Sequence, residues 1–233
     1  MSFDRSSFSV VDSSFGSLGT GTTNFYNPFQ MAVDDKKLYG VEFANHRLKI
    51  MDKDDLHVAD FYGELGRGTT NLHLPTGIAV TNTRIFIADD GNQRILELKK
   101  STYGFVREIK IPITTLGNMR ILTDEKNLYV FYGNVASTAS LFTDLVLEKR
   151  DLVNPETIVA RTTILPSTNS ELSNGIIMGD MGQNDDFLFL SFTDDREGSW
   201  LYYVQKILKD DFSLVRELVS GDSHYGIAGN GYA

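Results

Sequence analysis

Short runs of apolar or alternating apolar and polar residues, each closed by a turn signal, recur along the chain. Gly77-Ile78-Ala79-Val80 is followed by Thr81-Asn82-Thr83, and Arg84-Ile85-Phe86-Ile87-Ala88 by Asp89-Asp90-Gly91-Asn92. Arg94-Ile95-Leu96-Glu97-Leu98 then alternates, Lys99-Lys100-Ser101-Thr102 turns the chain, and residues 105–111 form a fourth run. Runs of this length between Gly, Asn, Asp and Ser clusters predict strands rather than helices. Four such strands within forty to fifty residues make one antiparallel sheet of blade size.

The pattern repeats. Leu18-Gly19-Thr20-Gly21-Thr22-Thr23-Asn24 returns as Leu65-Gly66-Arg67-Gly68-Thr69-Thr70-Asn71, an offset of 47 residues from 18 to 65. At that offset Pro28 meets Pro75, Ala32-Val33 meets Ala79-Val80, Asn45 meets Asn92 and Arg47 meets Arg94. Beyond residue 100 the identities weaken but the rhythm continues. Val33-Asp34-Asp35-Lys36-Lys37-Leu38-Tyr39 is echoed by Thr123-Asp124-Glu125-Lys126-Asn127-Leu128-Tyr129. Runs at 128–132, 145–149 and 157–164 complete a third unit, and runs at 174–178, 187–192, 200–208 and 213–219 a fourth. Residues 8–16 read as a leading outer strand and residues 224–233 as a trailing inner strand with a turn. One stretch is ambiguous: 141, 142, 145 and 146 fit a helical face, whereas Leu145 and Leu147 alternate as in a strand. The reading taken is a loop leading into a strand.

The unit in the second repeat, with Gly66, Gly68, Leu72, Pro75, Ile78-Ala79-Val80, Ile85-Phe86-Ile87-Ala88-Asp89, Asn92 and Arg94-Ile95, resembles the NHL repeat. The first repeat matches through Gly19, Gly21, Phe25, Pro28, Met31-Ala32-Val33, Asn45-His46-Arg47 and Leu48. The resemblance covers residues 15–100 specifically and the remainder loosely. It implies a β-propeller, commonly six-bladed in that family. Four whole units plus two end strands predict an all-β fold of four-stranded antiparallel blades, about five in number. The last blade would be split between the two termini, all within one domain spanning 1–233. The repeat also has a physical rationale. Glycines permit close backbone approach at the blade crossing, and proline tolerates the missing N–H at the start of an inner strand. Arg47 and Arg94, which open third strands, are expected to pair with nearby carbonyls or carboxylates, because repetition in successive blades marks a scaffold role.

Composition narrows the function. The 233 residues include no Cys, 22 Lys+Arg against 31 Asp+Glu, and a net charge of −9. This excludes disulfide frameworks and thiolate chemistry, and disfavours phosphate-backbone binding, which needs clustered cations. There is no signal-peptide pattern at Met1-Ser2-Phe3-Asp4-Arg5 and no apolar run of spanning length, so a soluble chain is expected. The compartment is left open.

The resemblance brings two enzyme classes into view. The NHL-like amidating lyases hold zinc through several histidines, one directly after the proline before an inner strand; here those positions carry Phe29 and Thr76. The histidines, His46, His57, His73 and His224, show no recurrent ligand spacing. His46, in a turn, and His73, in a blade-crossing loop, read as a pair of solvated surface histidines, with a neighbouring pair as the alternative. Gluconolactonase-like propellers hold an axial divalent ion through Glu, Asn and Asp, a ligand set scattered along the sequence and invisible to spacing. The Asp52-Lys53-Asp54-Asp55 cluster lacks the spacing of a calcium loop. Nucleophile-elbow, phosphate-loop and dinucleotide motifs are absent.

The expected function is a non-catalytic interaction or assembly module, with a lactonase-like, metal-dependent axial hydrolase as the alternative. No catalytic, cofactor-binding or metal-binding residue is assigned. Candidate contact residues are Phe142, Arg196 and Trp200, in the repeat-breaking loops 133–144 and 193–200, with His46, Arg47 and Arg94 on the same face. Trp200 fits a blade core equally well. The expected partner is another protein or a second copy near the termini, giving a homo-oligomer or a larger assembly, with no nucleic acid and no membrane. The Ser/Thr/Asn/Tyr-rich, cysteine-free composition is compatible with a phage virion component.

Overall fold

The computed structural model describes residues 2–3, 10–12, 18–113, 119–135, 142–164, 175–196 and 199–221, with side chains for 18–113, 119–133, 145–164, 176–194 and 201–220. Strands β1 (Ser2–Phe3) and β2 (Val10–Asp12) pair antiparallel in a two-stranded sheet of their own. Blade 1 is β3 (Pro28–Val33), β4 (Lys37–Glu42), β5 (Arg47–Asp52) and β6 (Val58–Tyr62), hydrogen-bonded in that order. Blade 2 is β7 (Pro75–Val80), β8 (Arg84–Asp89), β9 (Arg94–Lys99) and β10 (Gly104–Lys110). Blade 3 comprises β11 (Arg120–Thr123), β12 (Asn127–Val135), β13 (Phe142–Asp151) and β14 (Ile158–Ile164). Blade 4 comprises β15 (Gly175–Gln183), β16 (Phe187–Arg196), β17 (Ser199–Leu208) and β18 (Leu214–Gly221). The chain divides into two compact units, Met1–Glu108 and Ile109–Ala233.

The described residues thus hold four blades, not about five. Of the expected leading strand 8–16, Val10–Asp12 falls among the described residues, where it pairs with Ser2–Phe3. A partner a few residues away closes a short loop at little entropic cost. The expected trailing strand 224–233 lies outside the described residues. Ambiguity at 141–148 resolves as strand from Phe142 onward, because β13 is hydrogen-bonded on both sides, to β12 and to β14. The two repeat-breaking loops are shorter than expected. β16 runs to Arg196 and β17 starts at Ser199, with Asp195 opposite Trp200, so most of 193–200 is an extended hairpin. β12 likewise extends to Val135, leaving 136–141 outside the described residues. These longer strands let blades 3 and 4 bridge at Phe142 and Ile176.

In all four blades one side chain caps the first turn. Asp34 accepts the N–H groups of Lys36 and Lys37 at 2.8 and 2.7 Å. Thr81 does the same for Thr83 and Arg84, Asp124 for Lys126 and Asn127, and Asn184 for Asp186 and Phe187. Such a local bond satisfies turn donors that no ladder can reach.

Each unit has its own core, and the repeat explains its composition. In unit 1 the trailing face of blade 1, Tyr39, Val41, Leu48 and Ile50, clusters with Ile78, Ile85, Ile87, Leu96 and Leu98 of blade 2's leading face. In unit 2, Tyr129, Phe131, Leu145 and Leu147 of blade 3 cluster with Leu188, Leu190, Phe192, Tyr203 and Ile207 of blade 4. The alternation of each strand decides which face a side chain joins, so both faces of an inner blade must be apolar.

Polar bolts accompany these cores. Lys100 of blade 2 pairs with the blade 1 cap Asp34 at 2.5 Å. Burial alone would raise the Asp34 carboxyl, but Lys100, the Lys36 and Lys37 amides and the Tyr39 hydroxyl hold it well below the usual carboxylate range. Lys209 of blade 4 stands in the same relation to Asp124 of blade 3: its ammonium lies 5.5 Å from the Tyr129 ring, whose hydroxyl donates to Asp124 at 2.8 Å. Burial lowers the Lys209 pKa and Asp124 opposes that shift.

Candidate functional site

The recurrent polar motif forms a clamp, built twice at equivalent positions, on Asp89 in blade 2 and on Glu42 in blade 1. In blade 2 the carboxylate of Asp89, fully buried at the end of β8, accepts the His73 N–H at 2.6 Å, the Asn92 amide at 2.7 Å and the Arg94 Nε–H at 2.8 Å. Asn92 also donates to the Gly66 carbonyl at 2.8 Å. The remaining N–H groups of Arg94 reach the carbonyls of Arg67, Gly68 and Asn71 and the carboxylate of Glu108. In blade 1, Glu42 accepts from the Tyr26 N–H, Asn45 and Arg47, while Asn45 and Arg47 hold the Gly19 and Gly21 carbonyls. Lys49, also fully buried, bonds the Asn24 carbonyl and lies 3.7 Å from the Phe25 ring centroid.

The clamp holds each Gly-x-Gly loop against its own blade. A guanidinium has five N–H donors, and Arg94, 6% exposed, spends all five within the protein. Arg47 keeps one edge at the surface, stacked 4.3 Å from the Phe61 ring centroid.

The two loop histidines are neighbours and half-buried, not separate solvated residues; their ring centroids lie 5.7 Å apart. Packing brings blade 2's incoming loop over the β4–β5 turn of blade 1. His46 Nδ1 accepts the Leu74 N–H at 3.1 Å, and Leu74 holds a left-handed φ of 52°, costly for a branched side chain. Gly91 completes the junction, since a Cβ there would stand 2.6 Å from the His73 carbonyl oxygen. Burial, and then the adjacent His73, lower the His46 pKa from its ordinary 6.5, while Asp89 opposes them. A base with a depressed pKa in the folded state takes up fewer protons than the unfolded chain once pH drops below 6.5. Stability is therefore expected to fall as pH moves from 6.5 down to the lowered value. Urea midpoints measured between pH 7.5 and 5 should show this decline in the wild type and a flatter curve in His46→Gln; parallel curves would refute it.

Phe142, Arg196 and Trp200 occupy strand positions in β13, β16 and β17, opposite Ile176, Ser199 and Asp195 respectively, and their side chains lie outside the described set. A groove of about 350 Å³ beside β6 is lined by Thr22, Thr23, His57, Asp60 and Phe61. Among the described residues no three His, Asp or Glu side chains are grouped to hold a metal ion, and no helix is long and apolar enough to cross a membrane.

No protein-family model matches the chain, and neither does any curated protein sequence. Solved structures do match in shape. Hydrazine synthase of Kuenenia stuttgartiensis superposes with a TM-score of 0.50 at 11% identity, over 84% of this chain and 66% of that one. U3-55K matches with a TM-score of 0.52 at 9% identity, over 82% and 51%. The quinohemoprotein alcohol dehydrogenase ADHIIG of Pseudomonas putida HK5 gives a TM-score of 0.52 at 8% identity, over 80% and 33%. The fold is a β-propeller of four-stranded antiparallel blades. Identities this low show the propeller fold alone, and the chain spans two thirds or less of each protein named.

One surface breaks the propeller's own packing rule. In blade 4 the leading face is core, but on the trailing face Ile177, Tyr202, Val204 and Leu218 are exposed. They form two adjacent rows across the sheet, Ile177–Thr193–Tyr202 and Ser191–Val204–Leu218. Val204, opposite Ser191, stands where fully buried Leu48 stands opposite Val41 in blade 1. The sequence reading missed this patch, because alternation shows that a strand has two faces without showing which one lacks a neighbour.

Proposed function

We propose that the protein is a non-catalytic β-propeller module for interaction and assembly, a scaffold or structural component. The observation that carries this reading is the exposed trailing face of blade 4, which presents side chains that are core in the other unit. The clamp supports it from the other side, since its acid, amide and guanidinium groups are occupied in holding loops. Apolar sheet surface of this kind is characteristic of a recognition site.

A catalytic role would need a substrate-facing set of polar groups or an axial ion. Purified protein is expected to carry no stoichiometric divalent metal and to hydrolyse neither lactones nor simple esters. Elemental analysis finding about one tightly held zinc or calcium per chain, together with lactone hydrolysis, would replace this reading with that of an axial hydrolase.

A further inference from the structure

We infer that the exposed trailing face of blade 4 receives the leading face of blade 1 from a second copy of the chain, giving head-to-tail assembly. This rests on the assembly reading above and names its partner. The leading strand of blade 1 carries Met31 and Val33, which are 51% and 60% exposed. Their equivalents at the 47-residue offset are Ile78 and Val80. In blade 2, Ile78 is buried to 1% exposure, and Val80 packs against the same cluster, under the trailing face of blade 1. On the same face Lys49 and Met51 of β5 are buried, so what blade 1 offers is its β3 edge, of the type that a trailing face covers elsewhere in this chain. Blade 4 offers a trailing face on which Ile177, Tyr202, Val204 and Leu218 are exposed. Each surface is the counterpart of the other.

Charge supports the same pairing. Within each unit, a lysine in the third turn of the following blade approaches the capping carboxylate of the preceding one, Lys100 with Asp34 and Lys209 with Asp124. The lysine turn is marked by its backbone, because Lys100 N–H donates to the Thr83 carbonyl and Lys209 N–H to that of Asp186. Lys53 N–H makes the same bond to the Lys36 carbonyl, so Lys53 is the equivalent lysine of blade 1. It is exposed. The matching first turn on blade 4 is Asn184-Asp185-Asp186, whose two carboxylate residues are also exposed. A second copy seated by its blade 1 would bring Lys53 to those carboxylates, as Lys100 is brought to Asp34. A heterologous contact of this kind propagates into a ring or an open array, depending on the rotation per copy.

The test uses the full chain and two surface variants. Native mass measurement and sedimentation of the wild type should show dimers or larger species that grow with concentration. Met31→Glu spoils only the leading face and Val204→Glu only the trailing face, and both positions are exposed, so each variant should fold, as circular dichroism can verify. Each should be monomeric alone. Mixed in equal amounts they should form a heterodimer that stops at two, because one sound leading face meets one sound trailing face. Lys53→Glu should weaken association roughly tenfold, with recovery on mixing with an Asp185→Lys/Asp186→Lys partner. A monomeric wild type at all concentrations overturns the inference, as does a mixture that stays monomeric, whether the faces are covered within one chain or by another protein. None of these outcomes involves metal content or hydrolysis, on which the assembly reading itself is judged.

Discussion

Arg94→Ala is expected to unfold blade 2 more readily than any exposed substitution, lowering stability by about 3–5 kcal/mol. The side chain removed is buried, and it leaves the Asp89 carboxylate buried with its cationic partner gone. The loop carbonyls of Arg67, Gly68 and Asn71 each also lose the bond from Arg94, Gly68 keeping that from the Asn71 N–H. For a chain of this size that corresponds to a fall in Tm of roughly 10 °C. Arg94→Lys retains a charge but not the planar fork and should recover only part of the loss. Arg47→Ala should cost less, because Arg47 is partly exposed and the buried Lys49 ammonium, 3.8 Å from Glu42, remains as a cationic partner that Asp89 lacks. Equal losses for the two arginines would contradict the buried-clamp account.

Glu148→Ala is expected to have a comparable effect in unit 2. The Glu148 carboxylate is fully buried, accepts the Tyr132 hydroxyl at 2.9 Å, and holds Arg150 through two contacts of 2.8 and 2.7 Å. Without it, Arg150, itself buried and otherwise bonded to the Pro155 carbonyl, keeps an uncompensated charge, and Tyr132 keeps a buried hydroxyl. Breaking such a pair from one side costs about 3–5 kcal/mol. The two variants can be told apart by optical probe. Trp200, the single tryptophan, belongs to unit 2, whereas far-ultraviolet ellipticity reports strands in both units. Glu148→Ala should move the fluorescence midpoint strongly, and Arg94→Ala should move ellipticity more than fluorescence. Coincident shifts for both variants would mean that the units unfold as one.

The blades were legible where the repeat was strict. In blades 1 and 2 the runs at 77–80, 84–88 and 94–98 fall within β7, β8 and β9, because six-residue strands and short turns keep a constant offset. In blades 3 and 4 the offset is lost, since β13, β16 and β17 are ten residues long. Identity also hides chemical equivalence there. The first-turn cap is Asp34, Thr81, Asp124 or Asn184, four positions that share an oxygen two and three residues before the amides it serves. The His46–His73 contact, an alternative to two solvated histidines, could not be decided from sequence for a different reason. The two occupy non-equivalent repeat positions, matched by Gln93 and Tyr26, so only the seating of blade 2 on blade 1 joins them. The number of blades was overcounted because a strand pattern names no partner, and β2 pairs locally.

The clamp has a consequence for how such a chain can change in length. Its longest bonds, Arg94 to Arg67 over 27 residues and Asn45 to Gly19 and Asn92 to Gly66 over 26, all begin and end inside one repeat. A duplicated gene segment of one period would therefore carry its own fastening and need nothing rewritten in its neighbours. The bolt from Lys100 to Asp34 behaves differently, since its two ends lie in successive repeats and a new blade continues the series only by bringing both ends, as blade 1 does with Asp34 and Lys53. Blade 1 holds its own fastening and both kinds of bolt end, whereas blade 2 has Thr81 in place of the carboxylate, which makes blade 1 the single cassette from which this architecture could grow.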